Sequence, residues 1–272
     1  MVHSFPTRRS SDLLNSEDRI RALAKFTSAG LSKFYNEKCL NLDNTVIAIS
    51  GDLDQNQIEK VLNIMKKVKW RNGKNILPTP PKSPSGKALS SIKLPREQTV
   101  ASVSFPSCDF RSPDRYRLNI ASSAMNGMNS ALFKKIREEN GMAYYTGMSS
   151  FMGIGCGHIT FYAGISFKDL EKTMKIIRSE CGKMLSGGAI SEAEFEDAKE
   201  KILFHISESH MNPKERVMAA AIEELIGNGL ESHENATDIY KEITLKEVNE
   251  TIARIVSSKN QIEVIVTPEK AE

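Results

Sequence analysis

NGMNSALFKKIREENGMAYYTGMSSF, residues 126–151, is the stretch on which the fold turns. Ser130 sits just ahead of Ala131, Leu132 and Phe133, where a hydroxyl can accept the free N–H groups of a first helical turn. Gly141 is placed to close that short helix in the left-handed conformation that glycine adopts without strain. Residues 142–150 then run on as a strand. GIGCG (153–157) follows, and GCGHITFYAGIS (155–166) is a second strand. A glycine cluster between two strands predicts a hairpin turn rather than a phosphate cradle, which needs a strand–turn–helix context. The two strands are expected to pair antiparallel.

Working outward from this hairpin, QTVASVSFP (98–106) alternates apolar and polar residues, the pattern of a half-buried strand. SPDRYRLNIASSAM (112–125) starts a helix with Ser112 as cap and Pro113 at the first helical position. Downstream, Ser166 and Asp169 are spaced as a capping box for a helix whose stripe is Leu170, Met174, Ile177, Cys181 and Leu185. Ser191 with Glu194 and Thr244 with Glu247 form two further boxes. The first opens a helix with Phe195, Ala198, Ile202 and Ile206 on one side. The second opens the last helix (Val248, Ile252, Ile255). Between them Pro213 begins a helix that ends at Gly227–Gly229, and QIEVIVTP closes the chain with a strand. An adjacent strand pair with a long multi-helix return predicts an α+β fold, a mostly antiparallel sheet with helices gathered on one side.

Upstream, residues 71–90 (RNGKNILPTPPKSPSGKALS) carry four prolines and several lysines, and read as a semi-rigid linker. Before it, 15–35 has a helical pattern capped by Asn15 or Ser16. NTVIAIS (44–50) reads as a buried strand, and Asp52 or Asp54 caps a helix through Ile58, Val61, Leu62, Met65 and Val68. One strand and two helices are too little for a closed core, so residues 15–70 are expected to expose apolar surface and to promote association.

The chain of 272 residues is 40% hydrophobic and 26% charged, as expected for a folded globular protein. A net charge of +3 gives no argument for nucleic acid or a membrane surface, and no apolar run approaches the ~20 residues of a membrane helix. Cys39, Cys108, Cys156 and Cys181 form no CxxC and read as reduced thiols, so a reducing, cytoplasmic location is expected. HSFPTRRSSDL, near the start, has no apolar core and is not a secretory signal. It is similar to the translation of a short-read sequencing adapter, so residues 1–13 are expected to be foreign to the protein. The rest is then expected to be the back part of a longer chain.

FHISESHM (204–211) invites a zinc reading. Helical zinc motifs place histidines four apart, whereas His205 and His210 are five apart and diverge by about 140° around a regular helix. His205 instead falls between Ile202 and Ile206 and is expected to be half-buried with a hydrogen-bonded tip. His158 lies on a predicted strand, His233 in a loop, and His3 in the leader. No zinc site emerges, nor any Walker loop, GxSxG or GxGxxG in its required context.

LFKKIREENGMAYY, preceded by MNGMNS, resembles the signature of the C-terminal half of the M16 metallopeptidases, the pitrilysin and insulinase family that includes mitochondrial processing peptidase. Ser130, Leu132, Phe133, Arg137, Glu138, Gly141, Ala143 and Tyr144 match it; Met142 replaces a usual leucine and Asn126 a usual glycine. SPDRY (112–116), AISGDLD (48–54) and FEDAKEKILFHISES (195–209) resemble further family segments, in the right order over residues 15 to 268. The resemblance implies an M16-type α/β roll: 14–70 the remnant of a first domain, 71–90 the linker and 91–272 the C-terminal domain. It implies that zinc and its H-x-x-E-H ligands belong to an N-terminal half absent from this chain, which binds no cofactor itself. It further implies a peptide substrate, a dimer with a second M16 subunit, and a fragment inactive alone. Arg137 and Tyr144, matching an R-x6-Y spacing, are implied to hold the substrate near its scissile bond. A non-catalytic partner subunit and an unrelated α+β binding domain are the alternatives.

Overall fold

The computed structural model describes residues 16–71, 85–126 and 130–269. Its centre is a five-stranded sheet made of β1 (Lys87–Leu94), β2 (Thr99–Pro106), β3 (Ala143–Gly153), β4 (Cys156–Ile165) and β5 (Gln261–Pro268). The spatial order is β1-β5-β2-β4-β3; only β1 and β5 run parallel, and the other pairs are antiparallel. The fold is therefore α+β with a mostly antiparallel sheet. β3 and β4 form the expected hairpin, with Gly153 opposite Cys156 and a left-handed Gly155 in the turn.

Side-chain alternation divides the sheet into two unlike faces. Ala101, Val103 and Phe105 of β2, Met148 of β3, and Ile159, Phe161, Ala163 and Ile165 of β4 are buried on one face. They pack under α4 (Asp114–Met125), α6 (Leu170–Met184) and α11 (Leu245–Val256), whose inward residues include Leu118, Ile120, Ile177, Val248 and Ile252. Each such side chain contributes about 1.5–3 kcal/mol when removed from water. Among the described residues the other face carries no helix and is polar and aromatic: Ser104 bonds Thr160 (2.8 Å), and Tyr145 leans on Tyr162 with ring centres 6.2 Å apart.

A second layer of helices covers α4: α7 (Glu192–Met211), α8 (Pro213–Leu225), α9 (Glu231–Glu234) and α10 (Ala236–Glu242). The boxes Ser191/Glu194 and Thr244/Glu247 form as expected, each closing both hydrogen bonds. Ser166 makes no side-chain cap. A 3₁₀ turn (Phe167–Asp169) lies between it and α6, so it is not in place to cap that helix. Arg115, buried in α4, holds the layers together. It donates to the Phe110 carbonyl (3.1 Å), Glu223 of α8 (3.0 Å), and Ser232 of α9 (2.9 Å).

The upstream segment behaves differently. The predicted helix over 15–35 is broken into α1 (Ser16–Leu23) and α2 (Ser28–Phe34), because Thr27 adopts an extended conformation and caps α2 through Gly30 N–H. α3 (Gln55–Lys66) is capped by Asp54 in a reciprocal box with Gln57. Residues 44–50, expected as a buried strand, join no ladder, since no strand among the described residues lies beside them. No described residue from 18 to 70 is buried, and Ile20, Leu23, Phe26 and Ile47 are exposed. Residues 46–53 and α8 flank a groove of about 660 Å³. Of the linker expected at 71–90, residues 87–90 belong instead to β1; a strand with side chains exposed on both faces shows no apolar alternation in sequence.

The free edge of β3 is closed at one point by Asn126, the residue just after α4. Its Oδ1 accepts the Met148 N–H (3.1 Å) and its Nδ2 donates to the Met148 carbonyl. A Cβ on Gly147 would collide with that same Oδ1. We expect Gly147→Ala and Asn126→Ala each to cost about 1–2 kcal/mol, and the double substitution to cost no more than one of them. Urea unfolding of the four-member cycle checks this; additive costs would contradict the interlock.

Glu247 accepts from Arg117 of α4 (2.9 Å) and from the backbone and hydroxyl of Thr244, which together pull its carboxyl down to about 2. A depressed folded value contributes stability above the unfolded carboxylate range, about 4.3, and loses it as pH falls toward 2. Glu247→Gln should flatten the decline in unfolding midpoint between pH 5 and 2; an unchanged slope would contradict the assignment.

Candidate functional site

The two residues singled out in sequence come together at the start of β3. Ser130 caps α5 (Ala131–Phe133) by accepting the Phe133 N–H (3.3 Å), and the helix continues as one wide π turn over Lys134–Glu138. Arg137, expected near the end of a regular helix, lies inside this turn. Such wide turns recur at functional sites because they rotate side chains out of the helical register. Gly141 then takes φ +60° and releases the chain into β3.

Tyr144 sits where the β3–β4 register shifts, between Ala143 opposite Ile165 and Tyr145 opposite Gly164. It is thus the extra residue of a bulge, and bulges re-aim side chains. Tyr144 is 60% exposed. The Arg137 Nη1 donates to the Tyr144 carbonyl (3.5 Å), and the guanidinium lies over the Phe133 ring at 5.1 Å. Arg137 is also exposed, so a forked cationic donor and a phenol are both open to solvent where α5 passes into β3. Arginine's planar donors suit a peptide carbonyl or carboxylate, and a phenol adds a hydroxyl donor.

Two of the histidines are arranged otherwise than expected. His205 is not half-buried; its side chain is exposed, and Nδ1 lies 3.3 Å from Glu208. His233 lies not in a loop but in α9, buried, with its ring 4.9 Å from that of His210. His158 is on β4, as expected, exposed and stacked on Phe151. Among the described residues no group of three or more His, Cys, Asp and Glu side chains is placed to hold a metal ion, so the residues present do not fit a peptidase zinc centre. No described helix is long and apolar enough to cross a membrane.

Residues 25–202 match the Peptidase M16 inactive domain family, and the chain belongs to that family. A curated relative from Rickettsia felis, named an uncharacterized zinc protease, is 28% identical over 185 residues, which are 67% of this chain and 43% of the relative. The chain spans about half the length of the curated relatives it matches. The crystal structure of a peptidase M16 inactive domain from Pseudomonas fluorescens superposes with a TM-score of 0.79 at 19% identity, over 93% of this chain and 60% of that one. A chain of complex III2 from Candida albicans gives a TM-score of 0.66 at 19% identity, over 93% and 59%. At those identities the structural likeness is one of fold.

Because both groups are exposed and support no core contact, Arg137→Ala and Tyr144→Phe should each change stability by no more than about 0.5 kcal/mol. Denaturant unfolding checks this; a loss of about 2 kcal/mol would make either residue a structural one.

Proposed function

We propose that this chain is the metal-free, substrate-positioning part of an M16 zinc endopeptidase acting on peptides, and that it is inactive alone. The observation that carries the reading is the pairing of Arg137 and Tyr144 at one exposed lip of the sheet, set there by a π turn and a bulge. Both are departures from regular structure, and both turn a side chain outward. In this reading the guanidinium holds a carbonyl or carboxylate of the peptide, and the phenol donates toward the oxygen that gains charge as the bond is attacked. The zinc of the parent enzyme is held by residues outside this chain, and no step of hydrolysis is assigned to the residues described here. The reading further assigns the chain to an assembly with a second M16 unit that completes the peptide chamber.

A second reading, a non-catalytic partner subunit, is favoured by the fold likeness to a chain of complex III2. An H-x-x-E-H motif in the sequence encoded upstream in the parent gene supports the first reading; its absence supports the second.

The test joins this chain to an M16 N-terminal domain carrying that motif and follows cleavage of fluorogenic peptides. Chelator-sensitive cleavage is expected, with kcat/KM reduced about tenfold or more by Arg137→Ala and less by Tyr144→Phe. Cleavage unaffected by Arg137→Ala would remove the role proposed for it.

A further inference from the structure

Charge is missing from the bare face of the sheet. In register, the even-numbered positions of β1, β2, β4 and β5 and the odd-numbered positions of β3 from Tyr145 onward share that face. None of them is Lys, Arg, Asp or Glu, in a chain that is 26% charged. The charged residues of the strands, Lys87, Lys93 and Glu263, have the opposite parity, and Glu263 accepts from Arg178 of α6 (2.8 Å). Solvated surfaces carry charge at about a quarter or more of their positions, and its depletion marks the centre of an interface. The β3–β4 half of the face is covered with rings. Tyr145 leans on Tyr162, and Phe151 stacks on His158 with ring centres 5.3 Å apart at 27°. Glycines give these rings room to lie along the sheet. A Cβ on Gly164 would strike the Tyr145 ring. One on Gly153 would come within 3.2 Å of the Phe151 ring, and one on Gly147 within 3.3 Å of the Tyr162 hydroxyl. Tyr145 and Phe151 thus rest on the strands, yet stay 43% and 53% exposed.

We propose that this face is the bed for an extended, uncharged, aromatic-bearing stretch of the peptide that Arg137 and Tyr144 grip. The inference rests on the reading of those two residues as the grip, and it names the class of peptide. Tyr145 directly follows Tyr144, so the neighbours of the gripped residue meet the rings. From Tyr145 to Phe151 β3 advances about 20 Å, room for about six extended residues. Rings of the occupant and rings of the face attract one another beyond the area they cover. Charge then selects among occupants. A lysine or a carboxylate laid on this face loses its water and finds no opposite charge there. Aromatic platforms also stack nucleic-acid bases, but such a strand needs Lys and Arg along its phosphates, and the face itself has neither.

The test titrates two blocked octapeptides into the whole chain, one alternating tyrosine with asparagine and the other tyrosine with lysine. Aromatic side-chain NMR signals follow binding and need no substitution. The uncharged peptide is expected to shift Tyr145, Tyr162 and Phe151 together and to bind at least fivefold more tightly than the lysine peptide. Tyr145→Ser and Phe151→Ser, both at exposed positions, are expected to weaken it about fivefold each. Arg137→Ala reports on the grip separately. Weakening by Arg137→Ala with none from the two ring variants would keep the grip and overturn the bed. Weakening by the ring variants alone would support the bed and remove the grip. Equal affinity for the two peptides, no binding at millimolar peptide, or tighter binding of oligothymidylate would overturn the proposal. So would shifts confined to residues off this face.

Discussion

The molecule depends on the burial of a single sheet face. β2 and β4 place small and large apolar residues alternately on the helix side, and nearly all of them are sealed from water under α4, α6 and α11. A two-residue period fixes the consequence for the other face: what β2 and β4 show there must be the intervening residues, Ser104, Thr160, Tyr162 and their neighbours. A bare, polar and aromatic sheet surface is therefore produced by the same sequence pattern that makes the core. Slipping β2 by one residue would expose Phe105 and Val103 and bury Ser104 among apolar side chains.

Local irregularities are placed on this regular frame where the chain must turn outward. The π turn at Lys134–Glu138 and the bulge at Tyr144 lie at either end of the Gly141 transition from helix to strand. Both are held by ordinary forces: the Ser130 cap, the buried Ile136 and Met142, and the β3–β4 ladder. The interlock of Asn126 with Met148 adds a fixed point on the free edge of β3, which would otherwise present unpaired backbone groups there. The exposed Arg137–Tyr144 pair thus stands on a rigid support.

Much of this was legible in sequence, for identifiable reasons. The hairpin followed from glycines between alternating strands, and the Ser191/Glu194 and Thr244/Glu247 boxes from reciprocal side-chain acceptors at a fixed spacing. Other features gave no local signal. KALSSIKL of β1 is an edge strand open on both faces, so it carries no apolar alternation. TVIAIS has the composition of a buried strand, but composition cannot supply the neighbouring strand that a ladder needs. Asn126 read as a departure from an expected glycine, yet its amide does specific work at Met148. The His210–His233 contact joins residues on either side of a whole helix, so spacing within one helix could not reveal it. The Arg137–Tyr144 pair was visible only through family resemblance; neither residue type nor separation alone distinguishes it from a surface arginine and a strand tyrosine.

Native-state hydrogen exchange resolved by residue tests the central claim most directly. If the dressed sheet face holds the fold, amides of β2 and β4 will exchange only through global unfolding, while those of α1, α2 and α3, none of whose described side chains is buried, exchange through far cheaper local openings. Equal protection of α1–α3 and the β2–β4 ladder would contradict the account.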